Sequence, residues 1–162
     1  MIIAVGALLA ATQLQAWHLS PHGLGPVRIG MSQAQVSRSL RAKLSGEAIV
    51  SENECVEKTA GSFPGLTFLF ERGRLGRISV SKPSRITTAR GMGVGAVSSQ
   101  VRRAYGRALK VEPNFYEELP AQYLTYWAVP KKRGIRFETS SNGRVYVIHA
   151  GDQSINYVEG CA

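Results

Sequence analysis

The sequence predicts an α+β protein made of two tandem repeats, each a helix followed by a small antiparallel β-sheet. Two internal echoes carry that expectation. VRIGMSQAQV at 27–36 is echoed by MGVGAVSSQV at 92–101, so Gly30 falls on Gly95, Gln35 on Gln100, Val36 on Val101 and, further on, Leu40 on Tyr105. A second echo follows each copy. Phe70, Glu71, Gly73, Arg74, Leu75 and Ile78 match Phe137, Glu138, Gly143, Arg144, Val145 and Ile148, with three extra residues in the second turn. Composition agrees with a globular domain: the 162 residues are 44% hydrophobic and 19% charged, which excludes a disordered tail, a collagen-like fibre or a coiled coil.

The elements follow in order. Ser32 and Gln35 fit a capping box opening the first helix, and Val36 and Leu40 form its i, i+4 apolar stripe. Residues 66–71 and 74–80 flank Arg72 and Gly73, a hairpin signal. Val97, Val101 and Ala104/Tyr105 share one face of the second helix, with Gly106 placed to end it. Gly30 and Gly95 supply the turn before each helix. Residues 123–129 read as a strand, and 135–139 and 144–148 flank a second hairpin whose turn contains Asn142-Gly143. Lys82-Pro83-Ser84 marks the boundary, giving a first repeat over 17–84 and a second over 85–162.

Residues 1–16 carry no charge, and their apolar stretch from Ile2 to about Ala11 has the size of a signal-peptide core. Ala16 before Trp17 fits the cleavage junction, and the run is too short to span a bilayer as a mature helix. The expected location is therefore periplasmic or secreted. Two cysteines, Cys55 and Cys161, are too few and too far apart for a CxxC redox or zinc signature. In an oxidising compartment they most simply form one structural disulfide, the alternative being two unpaired thiols.

The pattern IGMSxxxV before a helix, followed by a hairpin carrying GR[LV]xxI, resembles the SmpA/OmlA (BamE-like) module. Two such modules in tandem resemble the beta-lactamase-inhibitor-protein architecture of exported bacterial proteins. The resemblance covers most of residues 24–160 and implies a mainly non-enzymatic protein that binds other proteins in the envelope or outside the cell. Two departures stand out: no cysteine follows the apolar run, and Cys55 and Cys161 sit in different repeats. Outer-membrane anchoring and β-lactamase inhibition are therefore not carried over.

A search for reactive constellations points away from an enzyme. The chain has no GxSxG elbow, HExxH pair or Walker A loop. His18 and His22 have i, i+4 spacing, but Pro21 and Gly23 break any helix between and beyond them; His149 reads as a surface or half-buried strand residue. Residues 91–96 match GxGxxA, yet the segment before them contains Pro83, Lys82, Arg85 and Arg90 rather than the apolar strand a dinucleotide site requires. The acids Glu47, Glu52, Glu54 and Glu57, and separately Glu112, Glu117 and Glu118, read as solvated loop charges. No cofactor or metal is expected.

Two features point to binding. Lys and Arg outnumber Asp and Glu by 20 to 11, a net charge of +9, and residues 72–110 hold ten basic side chains and no acid. Such a field attracts anionic partners. Phe115, Tyr116, Tyr123, Tyr126 and Trp127 crowd the second repeat. Alternation puts Tyr123, Thr125 and Trp127 on one strand face and Leu124 and Tyr126 on the other, without saying which face is core. The expected function is an exported binding module for another protein with an acidic surface. Tyr123, Trp127, Lys131, Lys132 and Arg133 would form its contact site, with Arg102 and Arg103 steering. The rival is an electrostatic binder of anionic envelope glycans or lipids; nucleic acid is not expected.

Overall fold

The structure, a computed structural model, describes residues 17–46 and 54–161. The signal-peptide expectation over 1–16 and the acids Glu47 and Glu52 lie outside these residues. The described chain opens with a small antiparallel ribbon, β1 (Leu19–Ser20), β2 (Gly23–Leu24) and β3 (Val27–Arg28), and then enters α1 (Gln33–Leu40). The strands β4 (Leu44–Ser45), β5 (Val56–Ala60), β6 (Leu66–Glu71) and β7 (Arg74–Ser81) follow. The second half runs through α2 (Ser98–Tyr105), a single 3₁₀ turn, β8 (Leu109–Pro113), β9 (Gln122–Val129), β10 (Arg133–Thr139) and β11 (Val145–Gly151). A final 3₁₀ turn spans Gln153–Asn156.

The fold is α+β, but the two separate sheets expected from the echoes are replaced by one. Eight antiparallel strands pair in the order β4-β5-β6-β7-β11-β10-β9-β8. The reason is the seam between the last strands of each half. Ser81 pairs with Val147, and the ladder continues through Ser79 with His149 to Arg77 with Gly151. Joining there leaves neither β7 nor β11 as an unpaired edge. Glu57 and Glu112, expected in loops, lie on β5 and β8.

Local signals explain the helices. Ser32 accepts from the Gln35 N–H while the Gln35 side chain accepts from the Ser32 N–H, closing the capping box at α1. At α2 only half survives: Gln100 accepts from the Val97 N–H, because valine offers no acceptor in return. Before each helix a glycine at φ 94° (Gly30) or 91° (Gly95) turns the chain, a region costly for other residues. The N–H of Gly30 donates to Leu75 and that of Leu75 to Met31; the N–H of Gly95 donates to Val145 and that of Val145 to Ala96.

Both helices bury their stripes against the same sheet face. Val36 and Leu40 of α1 and Val101 and Tyr105 of α2 join one cluster with Phe68, Phe70, Ile78, Val80, Leu124, Ile135, Phe137 and Ile148. The ring of Tyr105 lies 5.1 Å from Tyr126 and 5.3 Å from Phe137, fixing α2 over β9 and β10. Period-two alternation then assigns the opposite face to Tyr123, Thr125 and Trp127, and Leu124 and Tyr126 to the helices.

That opposite face is partly closed by the C-terminal segment. After β11 the chain crosses it and ends at the Cys55–Cys161 disulfide, Cα atoms 5.4 Å apart, packed on Leu69. Arg77, buried beneath the crossing, donates from Nη1 to the carbonyls of Ser154 and Tyr157 and from Nη2 to Glu57 at 2.9 Å. Burial lowers the pKa of Arg77 and the Glu57 carboxylate opposes it, so the guanidinium stays charged. Replacing Cys55 and Cys161 together by Ala should destabilise the protein by about 2–5 kcal/mol. Urea denaturation with and without reductant measures this, and an unmoved midpoint would show that the disulfide adds no stability.

Candidate functional site

Strand register lines up one polar row across five strands on the face away from the helices. Ser79 pairs with His149, His149 with Arg136, Arg136 with Thr125, and Thr125 with Lys110. A second row brings Glu138 beside Tyr123 and Tyr123 beside Glu112. Ser79, Glu138 and His149 are 8%, 7% and 7% exposed, so this is a buried network rather than a wet sheet face. His149 in particular is not the surface or half-buried residue that its strand-end position predicts.

Ser79 Oγ lies 2.7 Å from His149 Nδ1, and His149 Nε2 lies 3.3 Å from Glu138 Oε1. Tyr146 donates its hydroxyl to Glu138 Oε2 at 2.7 Å. Burial pushes the pKa of His149 down, and the cations Arg77 and Arg136 add to that, against the pull of Glu138. The imidazole is therefore neutral, with Nε2–H donating to the carboxylate and Nδ1 accepting from the serine hydroxyl. Burial alone would push Glu138 up. Its hydrogen bonds from His149 and Tyr146 and the charge of Arg136 hold it below its ordinary value. The Arg136 guanidinium stacks 3.8 Å from the centroid of Tyr123 and donates from Nη1 to Asn156.

Serine, histidine and glutamate in this polarity form a hydroxyl–imidazole–carboxylate relay. Motif searching missed it because the three residues stand on three strands and only the seam brings them together. All three are more than nine-tenths buried, so the relay is closed to a substrate in this structure.

An open recess of about 440 Å³ lies alongside, lined by Lys110, Glu112, Thr125, Trp127, Lys131, Arg136, Gln153 and Asn156. None of the relay residues borders it. Trp127 forms a wall by packing over Gly134, its cross-strand partner; a Cβ there would sit 2.7 Å from Trp127 Cε3. Lys110 pairs with Glu112 at 2.8 Å.

The sequence-predicted residues divide. Trp127 is half-buried at the recess wall and Lys131 stands exposed at its rim. Lys132 is exposed in the turn between β9 and β10, and Arg133 is half-buried at the start of β10. Tyr123, expected as an exposed anchor, is 5% exposed beneath Arg136 and instead supports the floor. Arg102 and Arg103 are exposed on α2, across the sheet from Trp127, and Arg102 donates to Gln122. The 72–110 basic run also splits, since Arg77 is buried and Arg90 lies over the Tyr105 ring at 4.5 Å. His18 and His22 are both exposed on the N-terminal segment.

Comparison with known proteins returns no match to any family model, curated protein or solved structure. Among the described residues, no helix is long and apolar enough to cross a membrane.

The network predicts acid sensitivity in two stages. The native pKa of His149 lies below its ordinary 6.5, so as pH falls through about 6.5 the unfolded chain takes up a proton that the native state refuses. Glu138, held below its ordinary 4.5, adds a second loss as pH falls further. Denaturant midpoints should be flat above pH 7 and decline below it, with the first decline reduced in His149→Gln. An NMR titration should find the His149 midpoint below 6.5 with the neutral ring's proton on Nε2; a midpoint above 6.5 would overturn the assignment.

Proposed function

We propose that this chain is an exported, non-enzymatic protein-binding module, inhibitor-like or an envelope assembly or maintenance factor, whose partner presents an acidic surface. The observation that carries the reading is the recess. It joins an aromatic wall to Lys110, Lys131 and Arg136; Lys110 is paired with Glu112 and Arg136 with Glu138, which leaves Lys131 as the cation outside those pairs. The exposed Lys131 and Lys132 extend the same charge outward along the adjoining turn. Export is favoured by the disulfide, which belongs to oxidising compartments.

The same reading makes the two halves tandem repeats of the SmpA/OmlA-like kind, fused edge to edge. It is supported by the matched bonds of Gly30, Met31 and Leu75 with those of Gly95, Ala96 and Val145, and by the mirrored strand order about the β7–β11 seam. The test is capture from envelope and culture extracts on the oxidised protein, washed at low and high salt. A stoichiometric protein retained at high salt supports the reading. Retention of only salt-labile glycan or lipid would replace it with the electrostatic alternative, and no retained species would reopen the enzyme case around Ser79 and His149.

With a partner in hand, Trp127→Ala should weaken the complex about thirtyfold, chiefly by faster dissociation. Lys131→Glu with Lys132→Glu should slow association on the order of tenfold at low salt, and less at high salt. Arg102→Glu with Arg103→Glu, across the sheet, should change association less. Surface plasmon resonance at two salt concentrations separates these effects; unchanged kinetics in the first two variants would remove this site.

A further inference from the structure

We infer that the loop joining β8 to β9 is a second contact surface, which takes an apolar patch of the partner bordered by Lys or Arg. This rests on the protein-binding reading and adds to it a site of opposite charge. Three large apolar side chains stand together on this one loop: Phe115 is 76% exposed, Leu119 70% and Tyr116 59%. The Phe115 and Tyr116 rings pack edge to face, with centroids 5.0 Å apart. Single exposed apolar residues are ordinary, but a cluster of them marks an interaction site. None of the three borders the recess.

The surrounding charge identifies the occupant. Residues 111–130 hold Glu112, Glu117 and Glu118 and no basic residue, directly after the basic run of 72–110. The C-terminal segment adds Glu159, which accepts from the Tyr116 hydroxyl. The ion pairs among the described residues use Glu57, Glu112 and Glu138, and leave Glu117, Glu118 and Glu159 without a cation. In a chain of net charge +9, three carboxylates left so around one apolar cluster favour a partner that brings its own cations. They repel an anionic bilayer, and two copies meeting through this loop would set acids against acids.

The loop is set before any partner arrives. Buried Asn114 accepts through Oδ1 from the N–H groups of Tyr116 at 2.8 Å and Glu117 at 3.2 Å. The hydroxyl of buried Tyr123 accepts from the Phe115 N–H at 3.1 Å. Glu117 Oε2 accepts from the Ser141 N–H at 2.7 Å, tying the loop to the turn between β10 and β11. The Asn114 N–H donates to Ala121 and the Ala121 N–H to Glu118, closing the base. A loop held in this way has little freedom left to lose on binding. Tyr123 is thus a positioning residue, acting on the loop and not on the partner.

The test uses the oxidised protein and two synthetic amphipathic peptides, one of leucine and lysine and one of leucine and glutamate. Each is titrated at constant ionic strength while the amide signals of 115–119 are followed by NMR. The lysine peptide should shift them saturably and the glutamate peptide should not. Phe115→Ala with Leu119→Ala should weaken binding at least about tenfold and leave the denaturation midpoint unchanged, since both side chains face solvent. Glu118→Lys should weaken it more at low salt than at high salt. Tyr123→Phe should weaken it severalfold and raise the mobility of 115–119 in amide relaxation. Arg107→Gln, an exposed change just beyond α2, should leave binding as it is. Equal shifts from the glutamate peptide, full affinity in the double alanine variant, or shifts of these amides on adding phosphatidylglycerol vesicles would each overturn the inference. A captured partner indifferent to the double alanine variant would overturn it while leaving the protein-binding reading standing. Saturable binding of the lysine peptide without any captured protein would do the reverse.

Discussion

An eight-stranded sheet packed, among the described residues, against two short helices has one face well covered and another that must be closed by other means. The rest of the structure depends on how this chain meets that constraint. The helices account for the apolar face, where alternation supplies phenylalanine, isoleucine and valine at successive inward positions. The other face is closed by paired polar groups and by the crossing C-terminal segment. Arg77 is its pivot: one buried guanidinium binds two carbonyls of the crossing chain and the carboxylate of Glu57. Removing a partner from such a group is far more damaging than never having built it, because an uncompensated buried charge would remain.

The same closure shapes the recess. Gln153 and Asn156 sit on the 3₁₀ turn that Arg77 holds, and both line the recess beside Trp127 and Lys131. The relay of Ser79, His149 and Glu138 stiffens the neighbouring strands through side-chain bonds rather than through apolar packing. Fully satisfied networks of this kind specify one arrangement of a face.

Local signals in the sequence were read well. Ser32 and Gln35 announced α1, and the hairpin turns at Arg72-Gly73 and Asn142-Gly143 placed four strands. Of the residues that aromatic and charge clustering singles out, Trp127 and Lys131 line the recess, while Tyr123 is buried and Arg102 and Arg103 lie across the sheet. What escaped was everything set by long-range pairing. The strand VEKTA at 56–60 has no clean alternation, and Glu112 on β8 looks like any solvated acid. Arg77, Arg136, Glu138 and His149 alternate with apolar residues as an exposed strand face would. Nothing local says that another part of the chain will lie over them. Tyr123 reads as an exposed anchor for the same reason, and is buried because Arg136 on the next strand covers it.

The seam between β7 and β11 also differs in kind from the hairpins beside it. Hairpins such as β6–β7 and β10–β11 join neighbours in sequence and can form early, but the centre of the sheet joins strands that are distant along the chain. Closing that pairing costs loop entropy that the hairpins do not pay. The relay spans the seam, and the crossing turn is held from β7, on its far side. The floor and walls of the recess come from residues 110–156, and what the first half adds across the seam is Arg77, which holds the turn carrying Gln153 and Asn156. One side of the recess is thus braced from across the seam, so the two parts of the sheet share one surface.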